Sequence, residues 1–538
     1  MRILGISPFH DSSIAIIKDG QIEFFSKEER LTRKKRDYPP KDSLDLVLKD
    51  DRKFDEIVIS SPSFDDPLND NLIKYINQYK DNKIIRMCSE HHLTHASLAF
   101  YNSGFDKCLV IVIDRYGSRI ENVRESESIF VAQYPDNFNP IFKNFSFINK
   151  NNTDKSVLDK LQKKLPGAVL TADNEMNITK VYESATTLIG EHGLENGKTM
   201  GLAGWGKDKE FKNLFENSIP NEDLFDYKDD DIRQVYFKEY ENEEVSIVPQ
   251  SNYSLYADYA YQVQKQTQQR VLDLVKNAVE QTGINKVCIT GGYGLNVVTN
   301  SHLVKNLSNV KFYFEPLADD SGNSLGAAMF VYRNKTKDKK KFPLGTTAFQ
   351  GHKVNHNIDG KKCRPIDIAR LLDNQKIVAV ISGQAEGGPR ALGNRSILFD
   401  PRNPNGKEIV NKVKQREWYR PFGCSILQEY CTDYFEMHGL KSSPYMTLSF
   451  DIKNTKKFPA ITHTDGTSRI QTVNKSIPHM FELLTAFDKL TNLPMLLNTS
   501  FNTSSEAMVE TFDDAYRTFL NTDIDALWVP EKELVITK

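Results

Sequence analysis

The segment Arg2-Ile3-Leu4-Gly5-Ile6-Ser7-Pro8-Phe9-His10-Asp11-Ser12-Ser13 opens the chain and decides how its first part folds. Its apolar start predicts a buried strand, and the apolar residues at 14–17 and 22–25 predict two more. Asp19-Gly20 lies between the second and third strands and is typical of a tight hairpin turn. The sequence therefore predicts a strand, a polar loop, a strand, a tight turn and a strand, in that order.

This order resembles the start of proteins of the actin and sugar-kinase superfamily, in which the first loop approaches a phosphate group. An ordinary β-meander would show the same pattern, so the order alone does not decide between the two. His10 and Asp11 are unusual residues for a plain turn. We therefore treat both as candidate site residues.

The stretch Glu90-His91-His92-Leu93-Thr94-His95-Ala96 contains three of the eleven histidines. In a helix, His91 and His95 would stand at i and i+4 and point from one face. Two neutral imidazoles can hold a divalent metal if acidic ligands are added. Surface histidines would show the same spacing, and His92 is an alternative partner for His95.

Two aspartates could supply those acidic ligands. Asp114 follows an apolar run at 109–113 that predicts a buried strand, and ligands of open α/β sheets bind at the carboxyl ends of strands. Asp320 opens a run of small residues that predicts the start of a helix. It could cap that helix, or it could complete a metal site with His91, His95 and Asp114.

Two glycine-rich runs are candidate nucleotide contacts. Residues 197–206 (GKTMGLAGWG) include Lys198 but lack the first glycine of a Walker loop, so a structural turn is the alternative. Gly291-Gly292 follow a predicted strand at 286–290 and precede Asn296. A glycine pair after a strand lets a nucleotide approach the backbone, which favours Gly291, Gly292 and Asn296 as binding residues.

The composition bounds the class of protein. A chain of 538 residues predicts two to four domains, and its 39% apolar and 26% charged residues are typical of globular proteins. A net charge of −2 does not favour a nucleic-acid partner, although the basic end of the run at 27–36 leaves one possible. The six scattered cysteines form no CxxC pair, which favours a reducing cytoplasm, and no apolar run suggests a membrane partner.

A cationic run at 334–342 predicts the boundary between two domains, 1–341 and 342–538. Helical and strand-like stretches alternate on both sides of it, which predicts an α/β fold. They include a long helix at 256–282 before the boundary, and a helix at 366–372 and a strand at 377–381 after it. Residues 137–177 are rich in Asn, Lys and Asp, and we expect an irregular insertion there.

The second part of the chain concentrates arginines in loops rich in glycine and proline. These loops lie at 387–396, 414–422, 463–469 and 498–503. Arginine binds phosphate groups through two parallel hydrogen bonds, and Ser, Thr and Asn add neutral donors. The second part therefore predicts an anion site.

Together these pieces resemble the NodU/CmcH O-carbamoyltransferases, from residues 3–6 to residues 498–502. The resemblance implies an actin/sugar-kinase-like N-terminal domain with a duplicated α/β core, and a YrdC-like α/β C-terminal domain. It implies that ATP and carbamoyl phosphate form carbamoyl-adenylate in the second domain. The first domain would then pass the carbamoyl group to an acceptor hydroxyl on a sugar, a natural-product alcohol, or a hydroxymethylated pyrimidine nucleotide or DNA.

The resemblance also implies cofactors and site residues. The cofactors are a divalent metal, thought to be Fe(II), and ATP with Mg²⁺ as co-substrate. The metal ligands would be His91, His95, Asp114 and Asp320, with His10 and Asp11 as catalytic residues. Carbamoyl phosphate and ATP would bind Arg390, Lys414, Arg416, Arg420, His463, Arg469, Asn498, Ser500 and Asn502. One departure is the sequence Arg-Tyr-Gly-Ser at 115–118, where the family usually has small residues and Glu, and this affects how the acceptor is held.

Two other functions remain open at this point. A tRNA threonylcarbamoylation-type enzyme uses the same two kinds of domain, and a non-catalytic nucleotide-binding protein could be built on the same core. A homodimer is possible for any of the three.

Overall fold

The computed structural model describes residues 1–63, 67–80, 82–115, 117–148, 153–173, 177–189, 192–209, 213–215, 253–342, 348–354 and 359–538. The chain forms two units, one of residues 1–23 and 38–345 and the other of residues 24–37 and 346–538. The predicted division into 1–341 and 342–538 differs from these units in two places. Residues 24–37 belong to the second unit, and the first unit extends to residue 345.

The first unit begins with a five-stranded sheet in the order β3-β2-β1-β4-β5. Its strands are β1 (Arg2–Ser7), β2 (Ser13–Lys18), β3 (Gln21–Lys27), β4 (Glu56–Ile59) and β5 (Ile84–Arg86). The central strand β1 pairs antiparallel with β2 and parallel with β4. The three strands predicted from the opening segment are confirmed.

The second sheet of this unit has seven strands and follows the order β10-β9-β8-β6-β11-β12, with β7 beside β8. Its strands are β6 (Lys107–Ile113), β7 (Arg119–Ile120), β8 (Val123–Gln133), β9 (Asn137–Phe147), β10 (Val169–Asp173), β11 (Lys286–Thr290) and β12 (Lys311–Phe314).

The second sheet repeats the plan of the first. Its central strand β6 pairs antiparallel with β8 and parallel with β11, as β1 does with β2 and β4. The outer pairs also correspond, because β12 lies parallel to β11 as β5 lies parallel to β4. This repetition confirms the duplicated α/β core.

The helices of the first unit are α2 (Lys41–Leu48), α3 (Pro67–Ile76), α4 (His91–Asn102), α5 (Ser156–Lys164), α6 (Ile178–Leu188), α7 (Asn196–Ala203), α8 (Ser254–Thr282), α9 (Val297–Asn306) and α10 (Asn323–Thr336). The predicted long helix is α8, which ends at Gly283 in the left-handed conformation. Helix α10 extends three residues into the predicted linker, since it includes Asn334, Lys335 and Thr336.

The prediction of an irregular insertion at 137–177 is wrong. Strands β9 and β10 and helix α5 occupy most of it. Phe145 and Phe147 of β9 pack with Val157 and Leu161 of α5 in one buried cluster. The apolar residues are spaced widely enough among Asn and Lys that the amphipathic pattern is weak, which explains the error.

The second unit contains a nine-stranded sheet in the order β14-β23-β22-β15-β17-β21-β18-β20-β19. Its strands are β14 (Lys361–Lys362), β15 (Val378–Ile381), β17 (Arg395–Phe399), β18 (Gly423–Leu427), β19 (Ser449–Asp451), β20 (Thr467–Val473), β21 (Met495–Ser500), β22 (Ala526–Val529) and β23 (Leu534–Thr537), and β13 (Phe349–Lys353) pairs separately with β16 (Gln384–Glu386).

The helices of the second unit are α1 (Glu28–Thr32), α11 (Pro365–Asp373), α12 (Gly406–Lys414), α13 (Cys431–Tyr434), α14 (Pro478–Thr491) and α15 (Phe512–Leu520). Both units mix helices and strands, so the predicted α/β class is confirmed. All six cysteines are buried free thiols. Among the described residues, no helix is both long enough and apolar enough to cross a bilayer.

Candidate functional site

His91 and His95 lie one turn apart at the start of α4, and both side chains are buried, at 2% and 0% exposure. Residues of α4 are buried on every side, because the helix packs against α10 and against strands of the second sheet. The two imidazoles therefore hold fixed positions inside the first unit, as the i, i+4 spacing predicts.

Asp114 and Asp320 face these imidazoles. His91 Nε2 lies 3.3 Å from Asp320 Oδ1 and 3.5 Å from Asp114 Oδ2, and His95 Nε2 lies 3.2 Å from Asp320 Oδ1. One ligand atom from each of the four residues falls within 4.8 Å of the others. We call these four residues the His–Asp cluster.

The donor set of the His–Asp cluster fits a divalent transition metal. Two imidazole nitrogens and two carboxylate oxygens are ligands that iron, zinc and manganese accept in proteins. The two carboxylates carry the charge that a divalent cation would neutralise, and all four side chains are buried. The residues present therefore suit a resident metal ion.

Two alternatives left open by the sequence are decided by the geometry. His92 points away from the His–Asp cluster, with its Nδ1 2.8 Å from Ser128 Oγ. Burial lowers the pKa of His92 to about 3, so the ring is neutral. Asp319, the neighbour of Asp320, accepts the capping hydrogen bond from the Ser321 amide, which leaves Asp320 for the cluster.

Two residues that sequence reasoning missed, Asn323 and Ser118, support the His–Asp cluster together with the Gly292 amide. The Asn323 amide nitrogen lies 3.1 Å from His95 Nε2. The His91 amide donates to Ser118 Oγ at 2.9 Å, and the Gly292 amide donates to Asp114 Oδ1 at 3.0 Å. The position of Asn323, one turn after Asp320, was the signal that could have found it.

His10 lies at the edge of the His–Asp cluster. Its Nε2 is 3.7 Å from Asp320 Oδ2, and its Nδ1 is 3.2 Å from Asp11 Oδ2. Burial lowers the pKa of His10, but the hydrogen bond to Asp11 and the charge of Asp320 outweigh it and raise the pKa to about 9. Asp11 adopts a left-handed backbone with φ of 59°, which places its carboxylate against His10.

The same balance holds within the His–Asp cluster. Burial lowers the pKa of His91, yet Asp320 and Asp114 raise it to about 10. Burial also raises the pKa of Asp114 and Asp320, yet the imidazoles hold both carboxyl groups well below their usual pKa range. The two carboxylates are therefore ionised, which is the state that ligates metals.

Of the predicted nucleotide contacts, Gly291 and Gly292 directly follow β11, beside the end of β6. Gly291 has φ of 85°, and a Cβ there would lie 2.4 Å from the Ile113 carbonyl oxygen. Only glycine allows this approach. The structure thus gives both glycines a role beside Asp114, and their contact with a nucleotide stays a prediction.

Lys198 and Asn296 have partners within the first unit. Lys198 on α7 forms an ion pair with Glu195. Asn296 caps α9 by accepting from the Thr299 amide at 3.0 Å, and its side-chain amide donates to Gln264 at 3.0 Å. These contacts explain both residues locally, and nucleotide binding by either stays a prediction.

In the second unit, Lys414 ends α12 beside Ser500 and Asn502. Its Nζ donates to the Ser500 carbonyl, to Ser500 Oγ at 3.2 Å and to Asn502 Oδ1 at 3.1 Å. Ser500 Oγ donates to Asn502 Oδ1 at 2.7 Å. The structure therefore brings together three residues that the resemblance implies.

Arg416 and Arg420 lie close enough to Lys414 to interact with it electrostatically, and Arg390, Arg416 and Arg420 do so with Arg469. With Lys414 they form what we call the cationic cluster: Arg390, Lys414, Arg416, Arg420 and Arg469. Burial lowers the pKa of Lys414, and Arg416 and Arg420 lower it further. Burial and the charges of Arg390, Arg416 and Arg420 hold the pKa of Arg469 well below its usual range.

Individual contacts orient the members of the cationic cluster. Arg416 donates to Asn411 Oδ1 at 2.6 Å and lies over the Phe422 ring at 4.1 Å. Arg420 pairs with Glu417 at 3.2 Å. Arg469 Nε is buried without a hydrogen-bond partner in the described part of the chain. A cluster with this excess of positive charge is arranged to bind an anion.

The remaining predicted residues, Asn498 and His463, have partners within the second unit. Asn498 is buried on β21 and donates to Ser425 Oγ at 2.8 Å. His463 Nδ1 lies 3.3 Å from Asp465 Oδ1. Lys35, from the basic run expected to be solvated, adds its charge to those that lower the pKa of Lys414. Only the folded structure reveals that segment 24–37 joins the second unit.

Solved structures resemble this chain weakly. Full-length HypF in its phosphate- and nucleotide-bound form is 15% identical with a TM-score of 0.37, covering 62% of this chain and 56% of that one. HypF of T. kodakarensis is 14% identical with a TM-score of 0.38 and is covered over 48% of its length. Similarity of this degree carries no conclusion about activity.

Sequence relatives are closer. Nodulation protein NolO of Bradyrhizobium diazoefficiens is 30% identical over 82% of this chain and 77% of its own length. Nodulation protein NolNO of Sinorhizobium fredii is 27% identical over 97% of this chain and 78% of its own length. Nodulation protein U of Rhizobium tropici is 33% identical over 46% of this chain and 43% of its own length.

Two family models divide nearly the whole chain between them. The model for the carbamoyltransferase N-terminus matches residues 2–86 and 64–329, and the model for the carbamoyltransferase C-terminus matches residues 369–538. The first contains the His–Asp cluster and the second contains the cationic cluster. The chain belongs to the carbamoyltransferase family and is an enzyme that transfers a carbamoyl group.

Proposed function

We propose that this carbamoyltransferase is ATP-dependent and works in two steps, one in each unit. The second unit forms carbamoyl-adenylate from carbamoyl phosphate and ATP. The first unit passes the carbamoyl group to a hydroxyl of the acceptor. The acceptor classes implied by the resemblance are a sugar, a natural-product alcohol or a hydroxymethylated pyrimidine.

The first step balances as two bond exchanges. Water cleaves carbamoyl phosphate to carbamate and phosphate. A carbamate oxygen then attacks the α-phosphorus of ATP, and pyrophosphate leaves with the electron pair of the broken P–O bond. Magnesium bound to ATP neutralises part of the phosphate charge during this displacement.

The observation that carries the proposal is the concentration of positive charge in the cationic cluster. Burial and mutual repulsion hold the pKa of Lys414, Arg416 and Arg469 below their usual ranges. Carbamoyl phosphate is a small dianion and ATP is a polyanion. Either would remove this repulsion and accept the charge-assisted hydrogen bonds that the cluster offers.

The second step is assigned to the first unit because the His–Asp cluster and His10 lie together there. His91, His95, Asp114 and Asp320 would hold a divalent metal, for which the family resemblance favours Fe(II). A bound ion would supply Lewis acidity to the carbamoyl oxygen or to the adenylate phosphate.

A divalent ion held by Asp114 and Asp320 would offset the carboxylate charges that raise the pKa of His10, and in its neutral form His10 takes the proton of the acceptor hydroxyl in this scheme. The ring lies 3.7 Å from Asp320 and is held by Asp11, so its orientation is fixed beside the His–Asp cluster. The acceptor oxygen then attacks the carbamoyl carbon, and AMP leaves with the electron pair of the broken C–O bond.

The test uses purified protein with ATP and carbamoyl phosphate and no acceptor. We expect release of AMP, pyrophosphate and phosphate that depends on carbamoyl phosphate. A parallel reaction replaces carbamoyl phosphate with threonine and bicarbonate. AMP release in that reaction alone would identify the threonylcarbamoylation chemistry instead, and AMP release in neither would favour a non-catalytic nucleotide-binding protein.

A further inference from the structure

The side chain of Asn323, the first residue of α10, lies against the His–Asp cluster and is fully buried. Its Nδ2 lies 3.1 Å from His95 Nε2 and 3.5 Å from both His91 Nε2 and Asp320 Oδ1. Neighbouring ligand atoms bound to one ion at about 2.0 to 2.2 Å lie roughly 2.8 to 3.6 Å apart in octahedral and tetrahedral geometry. The end of the Asn323 amide that faces the cluster is therefore spaced from three ligand atoms as a further ligand would be.

Close packing of α10 against α4 holds Asn323 in this place. Gly326 lies one turn after Asn323, and a Cβ on it would lie 2.0 Å from the Thr94 carbonyl oxygen of α4. Only glycine, which has no Cβ, allows the two helices to approach this closely. The packing of the two backbones thus fixes the Asn323 side chain beside His91 and His95.

Thr94 can hold the Asn323 amide in either of two orientations. Its Oγ1 lies 2.9 Å from Asn323 Oδ1 and 2.7 Å from the His91 carbonyl oxygen. Ser60 Oγ lies 3.1 Å from the same hydroxyl oxygen. A hydroxyl group has one hydrogen and a carbonyl oxygen can only accept, so a Thr94 that donates to His91 is left as an acceptor. After a half-turn of the amide, Asn323 Nδ2 donates to Thr94 and Oδ1 faces the cluster.

A cation in the His–Asp cluster favours this second orientation. The ion would take the lone pairs of His91 Nε2 and His95 Nε2, so Nδ2 would lose both acceptors and its hydrogens would point at a positive charge. The amide oxygen carries the opposite partial charge and is a ligand that divalent ions such as manganese accept. The half-turn therefore replaces a repulsion with a bond to the metal.

We propose that Asn323 Oδ1 is a fifth protein ligand of the metal in the His–Asp cluster. The inference rests on the metal site of the proposed function and adds a neutral oxygen to its two imidazoles and two carboxylates. Zinc is usually satisfied by four ligands in a tetrahedron, whereas oxygen-rich sites with more ligands suit ions such as manganese. Asn323 would thus favour ions that accept five or six ligands.

The first experiment records the visible absorption of Co²⁺ bound to the full chain. Tetrahedral Co²⁺ absorbs much more strongly than Co²⁺ with five or six ligands, so the spectrum reports the geometry of the site. We expect a weak spectrum from the unmodified protein and a several times stronger one from Asn323→Leu, because leucine fills the place of asparagine without a ligand atom. An intense tetrahedral spectrum from the unmodified protein would overturn the proposal, and this result does not depend on whether the variant folds.

The second experiment measures the dissociation constants of Mn²⁺ and Zn²⁺ by competition with a chelator. Asn323→Leu should weaken Mn²⁺ binding by at least about tenfold and Zn²⁺ binding by less than about threefold. Asn323→Asp keeps a ligand oxygen and should bind Mn²⁺ at least as tightly as the unmodified protein. Asn334→Leu, which changes an exposed asparagine near the other end of α10, should leave both constants unchanged. Equal affinity of Asn323→Leu and the unmodified protein for Mn²⁺ would contradict the proposal.

Failure of the proposed function is seen separately. An unmodified protein that binds neither Co²⁺ nor Mn²⁺ would lose the metal of the proposed function together with the fifth ligand. A protein that binds both ions, and keeps its affinity for Mn²⁺ in Asn323→Leu, would lose the fifth ligand alone. AMP release that depends on carbamoyl phosphate is assigned to the second unit, so it reports on the first step in either case.

Discussion

The His–Asp cluster of the first unit is buried, whereas in the cationic cluster of the second unit Lys414 is buried and the four arginines are half-buried. The charges of the two clusters are also arranged in opposite ways. In the His–Asp cluster, carboxylates and imidazoles face each other at 3.2 to 3.5 Å, and the imidazoles hold the pKa of Asp114 and Asp320 well below the usual range. In the cationic cluster, like charges lower the pKa of Lys414 and Arg469. Opposite charges face each other in the first cluster, and positive charges predominate in the second.

In our proposal the two clusters bind ligands of opposite charge. Two carboxylates and two neutral imidazoles would suit a resident divalent ion. Lys414 and the four arginines, of which Arg420 pairs with Glu417, would suit an anion that arrives and leaves as a substrate. If the two clusters serve separate steps, a change in one cluster should leave the step of the other intact.

The largest effect is expected from Asp320→Asn. This change removes one carboxylate from the His–Asp cluster and its contacts with His91 and His95. We expect bound metal to be lost and carbamoyl transfer to fall by about 10⁴-fold, because Lewis-acid stabilisation of several kcal/mol is removed. Metal content by elemental analysis and product by mass spectrometry measure the two effects.

AMP release without acceptor should persist in Asp320→Asn, because we assign that step to the cationic cluster of the second unit. His302→Gln changes a histidine of the same unit outside the His–Asp cluster and should keep both metal and transfer. Equal loss of AMP release and transfer in Asp320→Asn would show that the two clusters do not serve separate steps.

His10→Ala should remove the proton acceptor and leave the metal in place. We expect transfer to fall by about 10²–10⁴-fold, the range for loss of a general base, while carbamoyl phosphate-dependent AMP release continues. Rapid-quench assays that follow AMP and carbamoylated product in the same samples measure both. Full transfer combined with weakened ATP binding would contradict this role of His10.

Much of the first unit could be predicted from the sequence because its signals are local. The i, i+4 spacing of His91 and His95, and the position of Asp114 after an apolar strand, depend on neighbouring residues alone. The same holds for the opening strands, since a continuous apolar run predicts a buried strand wherever it pairs. These features survive in a single sequence without knowledge of the tertiary fold.

The remaining features depend on contacts between distant residues. Asn323 lies 228 positions from His95 in the sequence. Residues 24–37, which include Lys35, belong to the second unit, although the rest of that unit begins only at residue 346. The pattern of apolar and polar residues in β9 and α5 was too weak to predict either element from the sequence. In the structure, Phe145 of β9 packs against α5 and stabilises both elements. Tertiary packing therefore decided what local periodicity left open.

In the cationic cluster, Lys414→Met should lower AMP release by about 10²-fold, because a charged donor to the substrate is lost. The same change should destabilise the second unit. The Ser500 carbonyl and Asn502 lose the hydrogen bonds that Nζ now donates. Initial rates and urea denaturation measure the two effects, and Lys532→Met, an exposed lysine of the same unit, should change neither.

Carbamoyl transfer from added carbamoyl-adenylate should continue in Lys414→Met, in contrast to Asp320→Asn. A variant that lost both AMP release and this transfer would indicate one shared site instead of two clusters with separate steps.

The smallest effect is expected from Arg469→Met, which should increase stability where Lys414→Met should decrease it. Arg469 Nε has no hydrogen-bond partner in the described part of the chain, and Arg390, Arg416 and Arg420 repel its charge. Removing it should therefore stabilise the ligand-free protein by about 1 kcal/mol while AMP release falls, because apolar replacement of a poorly compensated buried charge is often stabilising. Added carbamoyl phosphate should raise the melting temperature of the unmodified protein more than that of Arg469→Met, since the dianion relieves a repulsion that the variant lacks.

Arg517→Met, which changes a largely exposed arginine paired with Asp514, serves as the control and should leave both melting temperatures within error. A ligand-free Arg469→Met protein that is less stable than the unmodified one would mean that the arginine is compensated within the fold, and the cationic cluster would then resemble the His–Asp cluster after all.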